Sequence, residues 1–312
     1  MRNAAAPTRV VQGMKPTLHI VVLAALSLLL AACGGTTRVT DPGRSEPGPG
    51  PTAADGSTVT TRLPTTVLDD GDGAELCLGA VAESLPPQCG GPKLLGWDWA
   101  DQNGSFEEVD GVRWGQFLVV GEYDGSDITV TDVTRAAVWQ GPAPEEPGFS
   151  TPCAEPDGGW QVVDPQLTGE EAMNDALAVT AGLEGYAGSW VDQSVNPASG
   201  GDPEEVERAM NDPTKLVLNV RVAGEPAVAE ERLREVWGGA LCVSAAERTE
   251  AELLELQEQL GDLPGLLSSG VSVVQNRLDV QVTYDDGTLQ ERLDAEHGDG
   301  AVHVESALIP AM

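Results

Sequence analysis

The residues best suited to covalent chemistry in this 312-residue sequence are its five cysteines. Cys33 has a setting of its own, because it follows an uncharged apolar run over residues 18–30 and the small pair Ala31 and Ala32. The run is shorter than the roughly twenty apolar residues that a membrane-spanning helix needs. Basic residues precede it, and the order basic, apolar, small is typical of a secretory signal. We therefore expect residues 1–32 to be a signal peptide.

The residues at the end of that run also match a known sequence motif. Leu30, Ala31, Ala32 and Cys33 resemble the lipobox of bacterial lipoproteins. The resemblance implies that the Cys33 thiol receives a diacylglyceryl group, that the preceding peptide is removed, and that the protein is anchored on the extracytoplasmic face of the cell membrane. Two acyl chains anchor stably, at about 0.8 kcal/mol per buried methylene. The alternative is an ordinary secretory signal in which Cys33 carries no lipid.

The four remaining cysteines predict disulfide bonds. An even number in an oxidising compartment allows three pairings, and we choose Cys77 with Cys89 and Cys153 with Cys242. The first pair brackets a turn-rich stretch, and the second joins the start of the C-terminal region to a predicted strand. A four-cysteine zinc site is the alternative, but the spacing contains no Cys-x-x-Cys knuckle. We predict no metal and no cofactor.

Charge limits the partners of the mature chain. Three of its 17 basic residues precede Cys33, so 14 face 50 acidic residues, a formal charge of 14 minus 50, or −36. Nucleic acid is excluded as a ligand, because no basic stripe is present to neutralise phosphates. The partners expected are the membrane, through the diacylglyceryl anchor, and an envelope protein or peptide.

Composition divides the chain into a tether and two predicted domains. Residues 33–66 are rich in Pro, Gly, Ser and Thr and predict a disordered tether; the alternative is a proline-rich ligand for a partner. Residues 67–145 predict a small β-rich domain, in which a hairpin over 113–133 suggests a barrel-like sheet. Proline and glycine then punctuate the chain, and residues 146–312 predict an α/β sandwich domain. The predicted fold class is thus α+β.

Alternating periodicities define the elements of the sandwich domain. Helices are predicted over 170–183, 203–210, 226–237, 250–260 and 288–296. Strands are predicted over 215–222, 240–243, 272–284 and 302–308.

Several stretches of this domain resemble the pro-regions of streptogrisin-type secreted serine proteases. They are residues 186–192, 216–222, 242–243, 249–253 and 270–278. The resemblance implies a small α/β module that assists the folding of a secreted serine protease and inhibits it.

Catalytic groups are sparse. His297 and His303 are six residues apart and flanked by glutamates, but no further zinc ligand can be assigned, so two solvated histidines are expected. No nucleophile elbow, Walker loop or zinc-protease motif is present. A pair of carboxylates for glycoside hydrolysis stays open, because its distance cannot be obtained from spacing.

Two further groups have structural and functional interpretations. Asp70 and Asp72 lie in an acidic stretch that could bind a cation weakly, but Glu75 stands where a calcium-binding EF-hand needs glycine. Trp97, Trp99 and Trp114 could stack on a sugar or peptide, and core filling is the favoured interpretation.

These observations predict a non-enzymatic envelope lipoprotein that binds a protein, peptide or wall ligand. The alternatives are a regulator of a secreted serine protease and, third, a hydrolase.

Overall fold

A computed structural model describes residues 56–141, 148–196, 198, 201–210 and 212–311. Cys33, the predicted signal peptide and most of the predicted tether lie outside the described residues. The fold is mixed α+β, as predicted, with a curled, half-barrel sheet of ten strands and a second sheet of three. Both sheets belong to one compact unit.

The N-terminal half contributes seven strands to the large sheet. They are β1 (Ser57–Thr61), β2 (Thr65–Asp69), β3 (Glu75–Leu76), β4 (Leu94–Leu95), β5 (Glu107–Val109), β6 (Val112–Tyr123) and β7 (Ile128–Arg135). β6 is the centre, pairing antiparallel with β1, β2, β5 and β7.

The prediction of a tether to residue 66 is wrong over its last ten residues. β1 and the start of β2 lie in residues that the composition assigned to the tether. Threonine and valine dominate this stretch, and β-branched side chains favour extended, half-buried backbone. Val59 is accordingly buried in the core.

The described residues of the C-terminal half form five α-helices and six strands. The helices are α1 (Glu170–Thr180), α2 (Pro203–Met210), α3 (Pro226–Arg234), α4 (Glu250–Gln259) and α5 (Thr288–His297). The strands are β8 (Tyr186–Asp192), β9 (Val217–Val222), β10 (Ala240–Ala245), β11 (Leu266–Ser272), β12 (Arg277–Tyr284) and β13 (Val302–Pro310). At the start of α4, Thr249 and Glu252 form the predicted capping box.

The predicted single strand over 272–284 is instead part of a hairpin. β11 and β12 pair antiparallel around residues 273–276, and Asn276 adopts a left-handed conformation with φ 53°. Asparagine tolerates this conformation. Its side-chain Oδ1 also accepts hydrogen bonds from the backbone N–H groups of Glu247 and Arg248, at 2.9 and 3.0 Å.

These elements form two copies of one module, helix–strand–strand–helix–strand. The first module consists of α1, β8, β9, α3 and β10, and the second of α4, β11, β12, α5 and β13. In each module the first two strands pair antiparallel and the last two pair parallel. The copies differ in one connection, because α2 lies between β8 and β9 where the second module has only residues 273–276.

The equivalence extends to single residues. In the first module Trp190 of β8 pairs with Asn219 of β9, and Asn219 pairs with Cys242 of β10. In the second module Gly270 of β11 pairs with Asp279 of β12, and Asp279 pairs with His303 of β13. The register shift of β8 between Tyr186 and Gly188 recurs in β11 between Leu266 and Ser268. Each module is therefore a two-layer α/β sandwich with the same strand order and register.

The hydrophobic core of each module lies between its helices and its sheet. The first core includes Leu218, Val220 and Leu233, and the second includes Leu278, Val280 and Leu293. The core of each module lies on one face of its three-strand unit, and the opposite face, which bears Trp190 in the first module and Gly270 in the second, is referred to as the helix-free face.

Sheet pairing crosses the domain boundary predicted at residue 145. β13 of the second module pairs antiparallel with β1, and the large sheet therefore has the strand order β11-β12-β13-β1-β6-β2-β3. The predicted β-rich and sandwich domains do not correspond to separate sheets. Prolines and glycines near residue 145 marked a long connection, and the sheet closes through strands far apart in sequence.

The two modules contact each other through the β11–β12 turn and through α4, which lies beside β8. A Cβ atom on Gly188 of β8 would lie 2.6 Å from Val273 Cγ1, and Gly188 has φ +130°. Any larger residue would therefore displace this turn from β8.

Candidate functional site

The helix-free faces of the two modules differ, and this difference defines the candidate site. In the first module the face is covered by residues 149–160 of the same chain. Trp190 Nε1 donates to the Phe149 carbonyl at 3.1 Å. The Thr151 N–H and hydroxyl both donate to Asp192 Oδ2, at 2.7 and 2.8 Å. Both contacts are to β8.

Asp192 is an anchoring carboxylate in a buried position. Burial by itself raises the pKa of Asp192, but hydrogen bonds from Ser194 and Thr151 outweigh burial, so the pKa lies below its ordinary value of 3.8. The covering segment is thus held to β8 by an ionised side chain.

On the far side of this face the covering segment is covalently bound. Cys153 and Cys242 of β10 form a disulfide, with their Cα atoms 5.8 Å apart. Trp160 and Cys153 pack against Val217 and Ala240. The segment therefore crosses the whole sheet from β8 to β10.

Beneath this segment lies an unusual basic side chain. The Arg221 guanidinium carbon is 5.6 Å from the centre of the Trp190 ring, and burial lowers the pKa of Arg221. Arg221 Nε, Asn219 Oδ1 and Ser244 Oγ are buried with no hydrogen-bond partner among the described residues. Arg221 thus interacts through its face with an aromatic ring.

In the second module the equivalent face lines a groove of about 690 Å³. Its floor consists of polar residues at alternate positions of three strands, with Phe149 and the β11–β12 turn at one end. The floor residues are Ser268, Gly270, Ser272, Arg277, Asp279, Gln281 and Glu305. In the register of the modules, these are the counterparts of Gly188, Trp190, Asp192, Val217, Asn219, Arg221 and Ser244.

The groove arises from the residue types at these positions. Gly270 stands where the first module has Trp190, and a Cβ atom there would have no neighbour within 4 Å among the described residues. His303 stands where the first module has Cys242, so no disulfide can form at this site. The side chains that bind the covering segment in the first module are thus absent from the second.

Charged groups on the groove floor are paired but accessible. Arg277 Nε donates to Asp279 Oδ1 at 2.7 Å, and Arg62 Nε lies 3.8 Å from Glu305 Oε1. The Asp279 and Glu305 side chains are 45 % and 54 % exposed. Exposed ion pairs of this kind are worth about 0–1 kcal/mol, so a ligand can replace either basic partner.

The sequence-predicted cysteines of the described region form the two expected disulfides. Cys77 and Cys89 are joined within the large-sheet half, with their Cα atoms 5.5 Å apart, and Cys153 is joined to Cys242. Cys33, the predicted lipidation site, lies outside the described residues.

The histidines have separate surroundings. His297 ends α5, with Nε2 3.9 Å from Glu296 Oε2. His303 lies on β13 opposite Asp279, whose carboxylate accepts from Arg277. Within the ranges that the structure describes, no group of three or more His, Cys, Asp or Glu side chains could hold a metal ion.

The acidic stretch and the tryptophans have structural roles. Asp69 Oδ1 and Asp70 Oδ1 accept from backbone N–H groups of their own turn, and Asp69 Oδ2 accepts from Trp99 Nε1 at 2.9 Å. Trp97 and Trp99 pack edge-on with Phe117 in the core, in agreement with the core-filling interpretation.

Trp114 instead lines a second cavity, of about 500 Å³, with Phe106 and Arg135. The Arg135 guanidinium is bound to the Asp101 carbonyl at 2.7 Å. Glu107 also lines this cavity.

The groove was not predicted from the sequence, although a signal for it exists. Arg277, Asp279 and Gln281 alternate with buried apolar residues, which predicts a strand with one polar face. That this face borders a groove depends on the path of residues 149–160, and the path is set by Asp192 and by the disulfide of Cys153.

Comparison with protein-family models gave no match, and a search of curated proteins also gave none. Among the described residues, no helix is long and apolar enough to cross a membrane.

Proposed function

We propose that the chain is a cell-envelope lipoprotein, anchored through Cys33, whose folded part binds a protein or peptide through the groove of the second module. The observation that carries the binding role is the groove itself. Two modules share one register, yet one helix-free face is covered by the chain and its counterpart lines a 690 Å³ groove with accessible polar groups. Binding rather than catalysis is favoured, because the charged groups of the groove are paired with each other.

The anchor is supported by the residue order before Cys33. Replacing Cys33 with serine removes the thiol that a diacylglyceryl thioether requires. The native chain is expected in the detergent phase of a phase-partitioning experiment, and Cys33→Ser in the aqueous phase or as an unprocessed precursor. Equal partitioning of the two chains would refute the lipid anchor.

The binding surface can be tested in intact cells. A photo-crosslinking amino acid at Ser268, which is exposed at the groove, should give a discrete crosslinked species with one partner. The same amino acid at Glu258, exposed on α4, is the control and should give none. The same species at both positions, or none at Ser268, would contradict groove binding.

A second candidate is a folding regulator or inhibitor of a secreted serine protease. The stretches that resemble streptogrisin pro-regions run from β8 to β12, and two-layer α/β modules are what that likeness implies. The full chain in saturating excess should then alter the activity or refolding rate of secreted serine proteases from the same cells. No change in either rate would exclude this role.

A further inference from the structure

We infer that the groove binds an extended segment of a partner protein that crosses β11, β12 and β13 as residues 149–153 cross β8, β9 and β10. We further infer that this segment carries an apolar side chain over Gly270. The inference rests on the proposed function, since it names the ligand class and the binding mode of the same surface.

The first module shows that its helix-free face accepts an extended backbone. Phe149 and Thr151 are bound to β8 and Cys153 to β10. Three strands about 4.8 Å apart place the outer two roughly 10 Å from each other, and four residue steps of extended chain reach about 13 Å. Asn219, on the central strand, is 0 % exposed under this segment.

The second module offers the same path, because its strands have the same register and the same irregularity in the first strand. Where the first module has the Trp190 indole, Gly270 leaves space that a ligand side chain can fill. Phe149, Val273 and Val274 line this end of the groove. An apolar ligand side chain is therefore favoured there, since these neighbours are apolar.

The opposite end of the path carries paired charges. Glu305 replaces Ser244 and Asp279 replaces Asn219, and an arginine accompanies each carboxylate, Arg62 beside Glu305 and Arg277 beside Asp279. These pairs leave no net charge at this end, so the apolar end at Gly270 decides which ligand side chain is favoured.

Disulfide trapping with the chain's own covering sequence tests the binding mode. The probe is a capped peptide with the sequence of residues 148–156, Gly-Phe-Ser-Thr-Pro-Cys-Ala-Glu-Pro, and a second peptide has alanine in place of its phenylalanine. The protein is the full-length chain in detergent with His303→Cys, which places a thiol at the counterpart of Cys242. Glu258→Cys provides a control thiol on α4.

In a glutathione redox buffer, His303→Cys should capture the phenylalanine peptide about tenfold more than Glu258→Cys does, because binding raises the effective thiol concentration. The phenylalanine peptide should also be captured more than the alanine peptide. Folding of each variant is checked by circular dichroism.

Equal capture by His303→Cys and Glu258→Cys in folded proteins would overturn the crossing mode. Equal capture of the two peptides would overturn the apolar preference. If Ser268 crosslinks a partner in cells but the peptides are not captured, this binding mode is wrong and the proposed function stands. If both experiments fail, both proposals fail.

Discussion

Replacing both Cys153 and Cys242 with alanine should lower the free energy of unfolding more than the same replacement of Cys77 and Cys89. The first disulfide joins residues 89 apart and the second joins residues 12 apart. Loop-closure entropy then predicts losses of about 4.6 and about 2.9 kcal/mol at 25 °C. Alanine is chosen because Cys242 is buried, and serine would add a buried hydroxyl.

Urea unfolding at neutral pH, followed by tryptophan fluorescence, measures both losses. Each double-alanine variant is the control for the other, because both lose one disulfide and differ in loop length. The difference should be about 1.7 kcal/mol. Equal losses, or a larger loss for Cys77 and Cys89, would refute the view that the Cys153 link acts by restricting the unfolded chain.

Other predictions concern the anchoring carboxylate, the paired cores and a helix cap. Asp192→Asn should cost about 1.5–3 kcal/mol at neutral pH, the value of hydrogen bonds to a charged group. Because folding lowers the pKa of Asp192, its carboxylate contributes to the free energy of unfolding above pH 3.8, and this contribution is lost as the pH falls through the folded-state pKa. The difference in free energy of unfolding between wild type and variant should therefore shrink in acid. A pH-independent difference would contradict this. Leu233→Ala and Leu293→Ala, at equivalent buried positions, should each cost about 2–5 kcal/mol in the same assay, and a loss below 1 kcal/mol at either would contradict the core assignment. Thr249→Ala should cost about 1 kcal/mol by removing the cap of α4, whereas an unchanged melting temperature would mean that the capping box does not contribute.

Local periodicity predicted the helices of the C-terminal half well. Helices α1 to α5 all begin at the predicted residues. For α2, α3 and α4 the start is marked by local chemistry, with proline at the first turn of α2 and α3 and the Thr249 capping box before α4. Helix ends were less accurate: α3 ends at Arg234, three residues before Trp237. Trp237 is fully buried in the first core, so its apolar character reflects packing and not helix periodicity.

The duplication of the module was missed, because the repeat has no constant period. Leu183 and Gly185 recur 80 residues later as Leu263 and Gly265, whereas Leu218 and Leu233 recur 60 residues later. The longer connection after β8 in the first module accounts for the change. Few side chains besides core leucines and valines are shared, since the helix-free faces have different neighbours.

The chain's first described strand has a consequence for the kinetics of folding. β1 lies between β6 and β13, and its pairing with β13 joins Val59 to Pro310. Contacts so distant in sequence form slowly, because a long loop must close before they are gained. The half-barrel therefore cannot close until β13 is available for pairing. Until then one edge of β1 stays unpaired, which leaves this edge open to aggregation or to a chaperone.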